Sequence, residues 1–283
     1  MSDNLEKIDL ITKLDRFNID SNIGIGITEN KEYEKFNIVY SNTISDFYYN
    51  YINSVKVCNN IDVIELLNKA ENIINEQYNR EFCVALLPTD GYIYDKRDEV
   101  FDPNIYECVS NEVWQIYTDF ENVQNIFTNC KFNITLENTT DMELFSNEMY
   151  DSYVTGDDDD PYGDLDLAYK EAYKNFKKNS DRIEQDFFII KNKNEVVCVV
   201  QDAYDEEIFG IYCLAIKSSY RNKGIGKEVI KQLLKRCKEL NKKIAFLQTE
   251  KGFYPEQIYN KLGFKEICTE YYYKKRKSNF ANF

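Results

Sequence analysis

Apolar and polar residues alternate along this chain in blocks with two distinct periods. In the first part, Leu5, Ile8, Leu10, Ile11 and Leu14 recur at helical intervals and predict a helix within residues 1–20. Ile23 to Ile27 alternates with glycine and reads as a strand or a loop. Phe36 to Tyr40 reads as a strand. Ile44 to Val55 has the spacing of a helix, and so does Ile61 to Tyr78, with Val63, Leu66, Leu67, Ala70, Ile73 and Ile74 on one side. Phe82 to Leu87 is a continuous apolar run stopped by Pro88, the pattern of a buried strand. Tyr106 to Tyr117 alternates strictly enough to predict a strand and carries the only tryptophan, Trp114.

A second series starts near Cys130. Phe132 to Leu136 predicts a strand. A helix is expected from about Asp141 to Tyr150, capped by Thr139 or Thr140, with Glu143 at capping-box distance from Thr140. An acidic stretch, Gly156 to Gly163, separates it from a helix expected over Leu165 to Lys178. Asp186–Lys191 and Glu195–Ala203 read as two strands joined by a Lys-Asn-Lys-Asn turn. Ile211 to Ile216 is a central strand, Gly224 to Leu240 a helix, and Ile244 to Gln248 a strand. A helix from Tyr254 or Pro255 ends before Gly263, a glycine placed as a C-terminal cap. Glu266 to Lys274 is the last strand. The whole is a mixed α/β chain, divided as residues 1–128 and 129–283. The halves echo each other faintly, each with a buried strand and a late aromatic strand, which leaves a diverged internal duplication open.

Composition narrows the chemistry. Apolar residues make up 43% of the 283, enough for a core, and the formal net charge of −14 argues against nonspecific nucleic-acid binding. There is no histidine, which removes Ser-His and Cys-His nucleophiles and the commonest ligand of catalytic zinc. The eight cysteines are widely spaced without a CxxC pair, and several lie in apolar runs. They read as free thiols in a reducing cytoplasm. The N-terminus lacks the pattern of a signal peptide and no apolar run is long enough to span a bilayer, so a cytoplasmic protein without membrane attachment is expected.

The most informative stretch is Ile211 to Gly226, IYCLAIKSSYRNKGIG. An apolar strand runs into a glycine-containing turn that opens a helix, the arrangement in which free backbone N–H groups and the helix dipole favour an anion. From Arg221 to Lys243 there are nine Lys/Arg against Glu228 and Glu239, a local charge of +7 in an acidic protein. By itself that is the composition of a solvated helix face. A ligand bearing several phosphates would make the same charge useful.

Two motifs together with the element order carry a family resemblance. Arg221-Asn-Lys-Gly224-Ile-Gly226 resembles the pyrophosphate loop of the GNAT acetyltransferase superfamily, and Tyr259-Asn-Lys-Leu262-Gly263-Phe264 resembles its closing motif. The likeness covers about residues 131–275. It implies a GNAT acyl-CoA N-acyltransferase fold in the C-terminal half, with a smaller N-terminal α/β domain. It further implies transfer of an acetyl group from acetyl-CoA to a primary amine of a small molecule or a protein, by direct attack in a ternary complex.

On this resemblance Arg221, Asn222, Lys223, Gly224, Ile225 and Gly226 would hold the pyrophosphate. Leu214, Ala215 and Ile216 would line the pantetheine arm, and Tyr259 would contact the donor and protonate the departing thiolate. Glu206 or Glu207 would serve as the base through water, and Tyr212 could line the acceptor site. Asp157 to Asp160 would lie at the acceptor cleft, although a solvated loop is the plainer reading. The chain departs from the family at Ser218, where proline is common, and at Gly252, where an asparagine often contacts the donor. It departs again at Gly210, where some members place a glutamate. The rival expectation is a non-catalytic acyl-CoA-binding or interaction protein. Residues 1–128 are open to three readings: a degenerate GNAT-like domain, the surface of a homodimer, or a wall of the acceptor cleft.

Overall fold

The long alternating run at Tyr106–Tyr117 forms the strand on which the two halves of the chain meet. The structure, a computed structural model, describes residues 2–78, 81–154, 165–178 and 182–276. Its N-terminal half contains α1 (Ser2–Asn22), β1 (Glu29–Glu32), β2 (Asn37–Tyr40), β3 (Tyr51–Asn53), α2 (Asn60–Gln77) and β4 (Cys83–Leu86). Two short helices, α3 (Tyr92–Asp95) and α4 (Arg97–Val100), lead into β5 (Tyr106–Tyr117). The C-terminal half contains β6 (Ile134–Asn138), α5 (Met142–Tyr153), α6 (Leu167–Lys174), β7 (Glu184–Asn192), β8 (Glu195–Tyr204) and β9 (Ile208–Ile216). It continues with α7 (Ile225–Glu239), β10 (Ile244–Glu250), α8 (Tyr254–Lys261) and β11 (Lys265–Lys275).

All eleven strands join one sheet in the order β1-β2-β3-β4-β11-β5-β10-β9-β8-β7-β6. From its centre outward the sheet repeats itself. In each half one parallel pair, β3 with β4 and β9 with β10, is bridged by a long helix, α2 or α7. The last strands are exchanged: β5 pairs with β10 along Ala245–Glu250, and β11 pairs with β4. The most extensive ladder of the molecule runs between β5 and β11 themselves.

Helices cover both faces. On one, α7 buries Ile225, Val229, Ile230, Leu233, Leu234 and Cys237 against Phe209, Ile211, Ala245 and Leu247 of the sheet. Each large apolar side chain so buried contributes roughly 1.5–3 kcal/mol of gross stabilisation. On the other face α1 crosses the junction of the halves. It sets Ile11, Leu14 and Phe17 on Trp114, Phe246 and Ile208, and Ile19 among Tyr51, Ala85 and Tyr272. Among the described residues no helix is long and apolar enough to cross a membrane.

Several local expectations are corrected. Ile44–Val55 is not a helix: Phe47–Tyr49 makes one 3-10 turn and Tyr51–Asn53 enters the sheet. Side-chain bonds win over periodicity there, since Asn50 Nδ2 donates to the carbonyls of Ile44 and Asp46 (2.8 Å each) and closes the segment into a tight loop. The cap of α5 is Asp141, whose carboxylate accepts from Leu144 N (2.9 Å), while Thr139 Oγ1 only accepts from Asp141 N. The polar strand β1, with sequence ENKE, carries no apolar alternation that could have announced it.

Candidate active site

Strands β9 and β10 begin side by side and then part. They pair in parallel only from Ile208 to Gly210 against Ile244 to Phe246. Beyond that point β9 stays with β8 as far as Ile216, and β10 stays with β5 as far as Glu250. Each is held by a different neighbour, so a wedge opens between them. The inner edge of β9 from Ile211 onward has no ladder partner in β10, which leaves backbone donors and acceptors for a ligand with amides of its own.

A bulge lies inside this wedge. The β8–β9 register steps from Val199↔Ala215 to Gln201↔Tyr212, so β9 has one residue more than its partner, and Cys213 takes φ 52. Phe209, Ile211, Leu214 and Ile216 face the α7 side, whereas Tyr212, Cys213 and Ala215 all face α1, α5 and α6. Two successive residues on one face are the signature of the extra residue. Burial pushes the Cys213 thiol up to about 12.

At the open end of β9 the chain turns into α7. Gly224 is its N-cap at φ +83 with no side-chain cap bond, so no residue of the turn uses up the first N–H groups of the helix. Asn222 is also left-handed at φ 59. A Cβ on Gly224 would lie 2.7 Å from Asn129 Oδ1 and 2.8 Å from Cys130 N, so the turn tolerates only glycine there. Arg221 braces the turn: its Nε donates to Ile216 O (3.1 Å) and its Nη2 to Ser152 O (2.8 Å). Lys223 Nζ donates to Ser219 O (2.7 Å). The matching helix of the other half is closed, since Asn59 Oδ1 accepts from Asp62 N (3.0 Å) and Asp62 puts a negative charge in the first turn. Of this matched pair, α7 is the helix whose first turn is left bare for an anion.

Tyr259, on α8, packs on the same apolar core as Leu214 and Ile216, with its ring centroid 5.9 Å from that of Phe264. The end of β9, α7 and Tyr259 thus share one apolar core on the α7 side of the sheet. The structure does not bring Glu206 and Glu207 there. They precede β9 at its closed end, where Glu207 is ion-paired with Lys243, which holds its carboxyl below the usual range. At about 3.3 Å per residue, Glu207 is roughly 20 Å from the bulge. Gly210 has a tertiary reason: a Cβ there would lie 2.8 Å from Phe17 Cε1 and 2.5 Å from the Tyr212 ring. Helix α1 takes the space where a longer side chain would stand. Asp157–Asp160 lie outside the described residues.

Sequence reasoning missed a row of carboxylates on the α1 side. Glu250 of β10 and Glu270 of β11 both sit opposite Glu112 of β5. Glu112 is 8% exposed and Glu270 2%. Tyr48 OH (2.7 Å) and Ser110 Oγ (2.9 Å) donate to Glu112, and Trp114 Nε1 donates to Glu270 (3.0 Å). Desolvation raises both carboxyls above the ordinary range, Glu270 strongly, and neighbouring carboxylates add to it. One signal was readable: Ser110, Glu112 and Trp114 alternate on the apolar face of a strand, an expensive place for an acid.

The site is thus a mixed sheet with a splayed, bulged parallel pair and a bare helix start at its open end. Residues 162–277 match the family described as Acetyltransferase (GNAT) domain, which supports a GNAT superfamily member in the C-terminal half of the chain. The likeness of fold extends over nearly the whole chain. A functionally unknown conserved protein from Staphylococcus epidermidis ATCC 12228 superposes with TM-score 0.65 at 12% identity, covering 90% of this chain and 97% of that one. A GCN5-related N-acetyltransferase from Kribbella flavida gives TM-score 0.61 at 11% identity, over 89% and 91%. A tandem GNAT protein from the clavulanic acid biosynthesis pathway gives 0.56 at 7%, over 87% and 79%. No curated protein sequence matches the chain.

Proposed function

We propose that this protein is an N-acetyltransferase that takes its acyl group from acetyl-CoA and gives it to a primary amine. The observation that carries the proposal is the bare, basic N-terminus of α7 set at the open end of the β9–β10 wedge. A thioester of coenzyme A would supply a doubly charged pyrophosphate, a pantetheine arm with two amides and an activated acyl carbon, and the residues present suit each part. The N–H groups from Gly224 to Lys227 would take the pyrophosphate, with Lys223 and Lys227 adding charge. The unladdered edge from Leu214 to Ile216 would pair with the pantetheine amides. A backbone N–H at the bulge would stabilise negative charge developing on the carbonyl oxygen. Tyr259 would give a proton to the leaving sulfur from the α7 side. Arg221 acts through the turn it braces. Eight free cysteines support residence in a reducing compartment such as the cytoplasm.

Calorimetry with coenzyme A and thiol release from acetyl-CoA over an amine panel test this reading. Absence of coenzyme A binding would refute it. A non-catalytic acyl-CoA-binding protein is the second reading, favoured by Phe17 closing the space beside Gly210. Tyr259→Phe separates the two. An enzyme loses about 100-fold or more in kcat, the ordinary range for a general acid, with coenzyme A affinity intact. A binder shows no turnover to lose.

A further inference from the structure

Gln115 is a costly residue where it stands. It lies within β5, opposite Leu247 of β10 on one side and Glu266 of β11 on the other, and its side chain is fully buried. Trp114 and Ile116 belong to the α1 side and Tyr117 to the α7 side, so by alternation Gln115 points to the side that carries α7 and α8. Its Nε2 donates to Asn260 Oδ1 of α8 (2.8 Å), while its Oε1 is buried without a partner. A leucine of similar volume would bury no polar atom, so a buried amide with one orphaned oxygen is the less stable choice for the core. Helix α8 has little else to fix it. No residue from Tyr254 to Lys261 is buried, Phe253 provides no side-chain cap bond, and Ile258 and Tyr259 pack only partly on the α7 core. Tyr259 and Asn260 are adjacent, so the bond from Gln115 acts on the turn that carries the phenol.

The matching register of the other half is built differently. Ala245 and Leu247 of β10 sit opposite Tyr117 and Gln115, and Val84 and Leu86 of β4 sit opposite Tyr273 and Tyr271. Tyr271 thus takes the place of Gln115. Its ring packs on Tyr94 of α3 with centroids 5.7 Å apart, and the Arg97 guanidinium lies 4.3 Å from its centroid. Ring packing holds that pair of short helices by area, which tolerates sliding. An amide hydrogen bond is directional and fixes α8 at one point. The amide stands under the helix that bears Tyr259, and the ring stands under its counterpart.

The geometry points to Gln115 as a positioning residue for the proton donor: through Asn260 it sets the height and rotation of α8, and with them the place where the Tyr259 phenol meets the leaving sulfur. This rests on the acetyl-transfer reading above. In that step the C–S electron pair moves to sulfur and the phenol gives sulfur its proton. Tyr259 regains a proton from the nitrogen that has formed the C–N bond, so one amine and one thioester give one amide and one thiol. A general acid works only within hydrogen-bond reach of its acceptor, and a displacement of about 1 Å costs up to roughly 100-fold in rate. Gln115 lies on the strand that the N-terminal half exchanges into the C-terminal part of the sheet. That half therefore acts on the rate without touching substrate.

The test uses the full chain with Gln115→Leu, Asn260→Ala and Asn260→Asp, each alone and combined with Tyr259→Phe. Calorimetry reads melting and coenzyme A affinity, thiol release reads kcat and KM, and mass spectrometry reads amide hydrogen exchange in α8 and α7. Gln115→Leu should melt with the wild type or above it, because the orphaned oxygen is gone and the freed side chain of the exposed Asn260 meets water. Its coenzyme A affinity and acetyl-CoA KM should stay within about threefold while kcat falls roughly 10- to 100-fold. Exchange in α8 should speed up about tenfold with α7 unchanged. Asn260→Ala should behave alike, and Asn260→Asp, which still accepts from Gln115 Nε2, should keep kcat within about threefold of the wild type. Added to Tyr259→Phe, neither Gln115→Leu nor Asn260→Ala should cost more than about twofold further, since both act through the phenol. Losses that multiply in the double variants overturn the assignment, as does unchanged exchange in α8 or a Gln115→Leu protein at the wild-type kcat. A wild type that binds coenzyme A but turns over no amine, or a Tyr259→Phe protein at full rate, refutes the acid role and this assignment with it, and leaves donor binding standing. Absence of coenzyme A binding removes the donor reading itself, and this one falls with it.

Discussion

Gly224→Ala bears most directly on the donor site. The residue sits at φ +83, where a side chain costs about 1–2 kcal/mol in an isolated left-handed position. The new Cβ would also stand 2.8 Å from Cys130 N and 3.0 Å from Asn129 C, which are backbone atoms that cannot swing aside. Either the 129–130 segment retreats or the turn rotates. Together these predict a loss of about 2–4 kcal/mol in stability. With an unfolding entropy of roughly 0.6 kcal/mol/K for 283 residues, Tm should fall by about 3–7 °C. Rotation of the turn would misdirect the N–H groups at the start of α7. Loss of one or two charge-assisted hydrogen bonds weakens coenzyme A binding by roughly 10- to 100-fold. Differential scanning calorimetry and isothermal titration read the two effects separately. Asn222→Gly is the control, since glycine accepts φ 59 without strain, and both quantities should stay near wild type. A Gly224→Ala protein that melts with the wild type and binds coenzyme A within threefold of it would show that the cradle is misassigned.

Three further outcomes are expected. Glu207→Gln, at the closed end of β9, should leave kcat and its pH profile unchanged; a large loss in kcat would place the base there after all. Asn59→Ala should cost about 1 kcal/mol through the lost cap of α2 without altering coenzyme A affinity, and a weakened affinity would count against a donor site confined to α7. The Asp15 carboxyl is raised to about 7 by desolvation. Because the fold holds that proton longer than the unfolded chain, the contribution is complete below about pH 4 and is lost as pH rises through about 7. Urea unfolding should accordingly show Asp15→Asn gaining on the wild type by up to about 1.4 kcal/mol per pH unit across that window. A constant difference between the two proteins would contradict the buried setting of this carboxyl.

The proposed donor side was legible because it is local. A strand, a turn with its glycines and a helix start lie within Ile211 to Gly226, and the apolar stripe of α7 repeats every three to four residues. Short-range geometry determines such a unit, and the same holds for Phe82–Leu87 and for the Leu262-Gly263 helix end. The segment Ile44–Val55 failed for a related reason: apolar spacing cannot register the side-chain bonds of Asn50, which bent the chain before a helix could form.

The row of carboxylates could not be read in this way. Glu112 is more than a hundred residues of chain from both Glu250 and Glu270, and the three come into line only through exchange of β5 and β11. Which strand sits beside β10 depends on long-range pairing, and nothing in the local pattern of Tyr106–Tyr117 names its neighbour. The sequence alone determined most of the elements, the glycine turn before α7 and the apolar stripe of that helix, since these follow from contacts between near neighbours. The tertiary structure decided that α1 fills the space beside Gly210, that Glu207 lies at the closed end of β9, and that three carboxylates line up across β10, β5 and β11. Each of these depends on which distant segments pack together, and that is settled by the burial of whole faces.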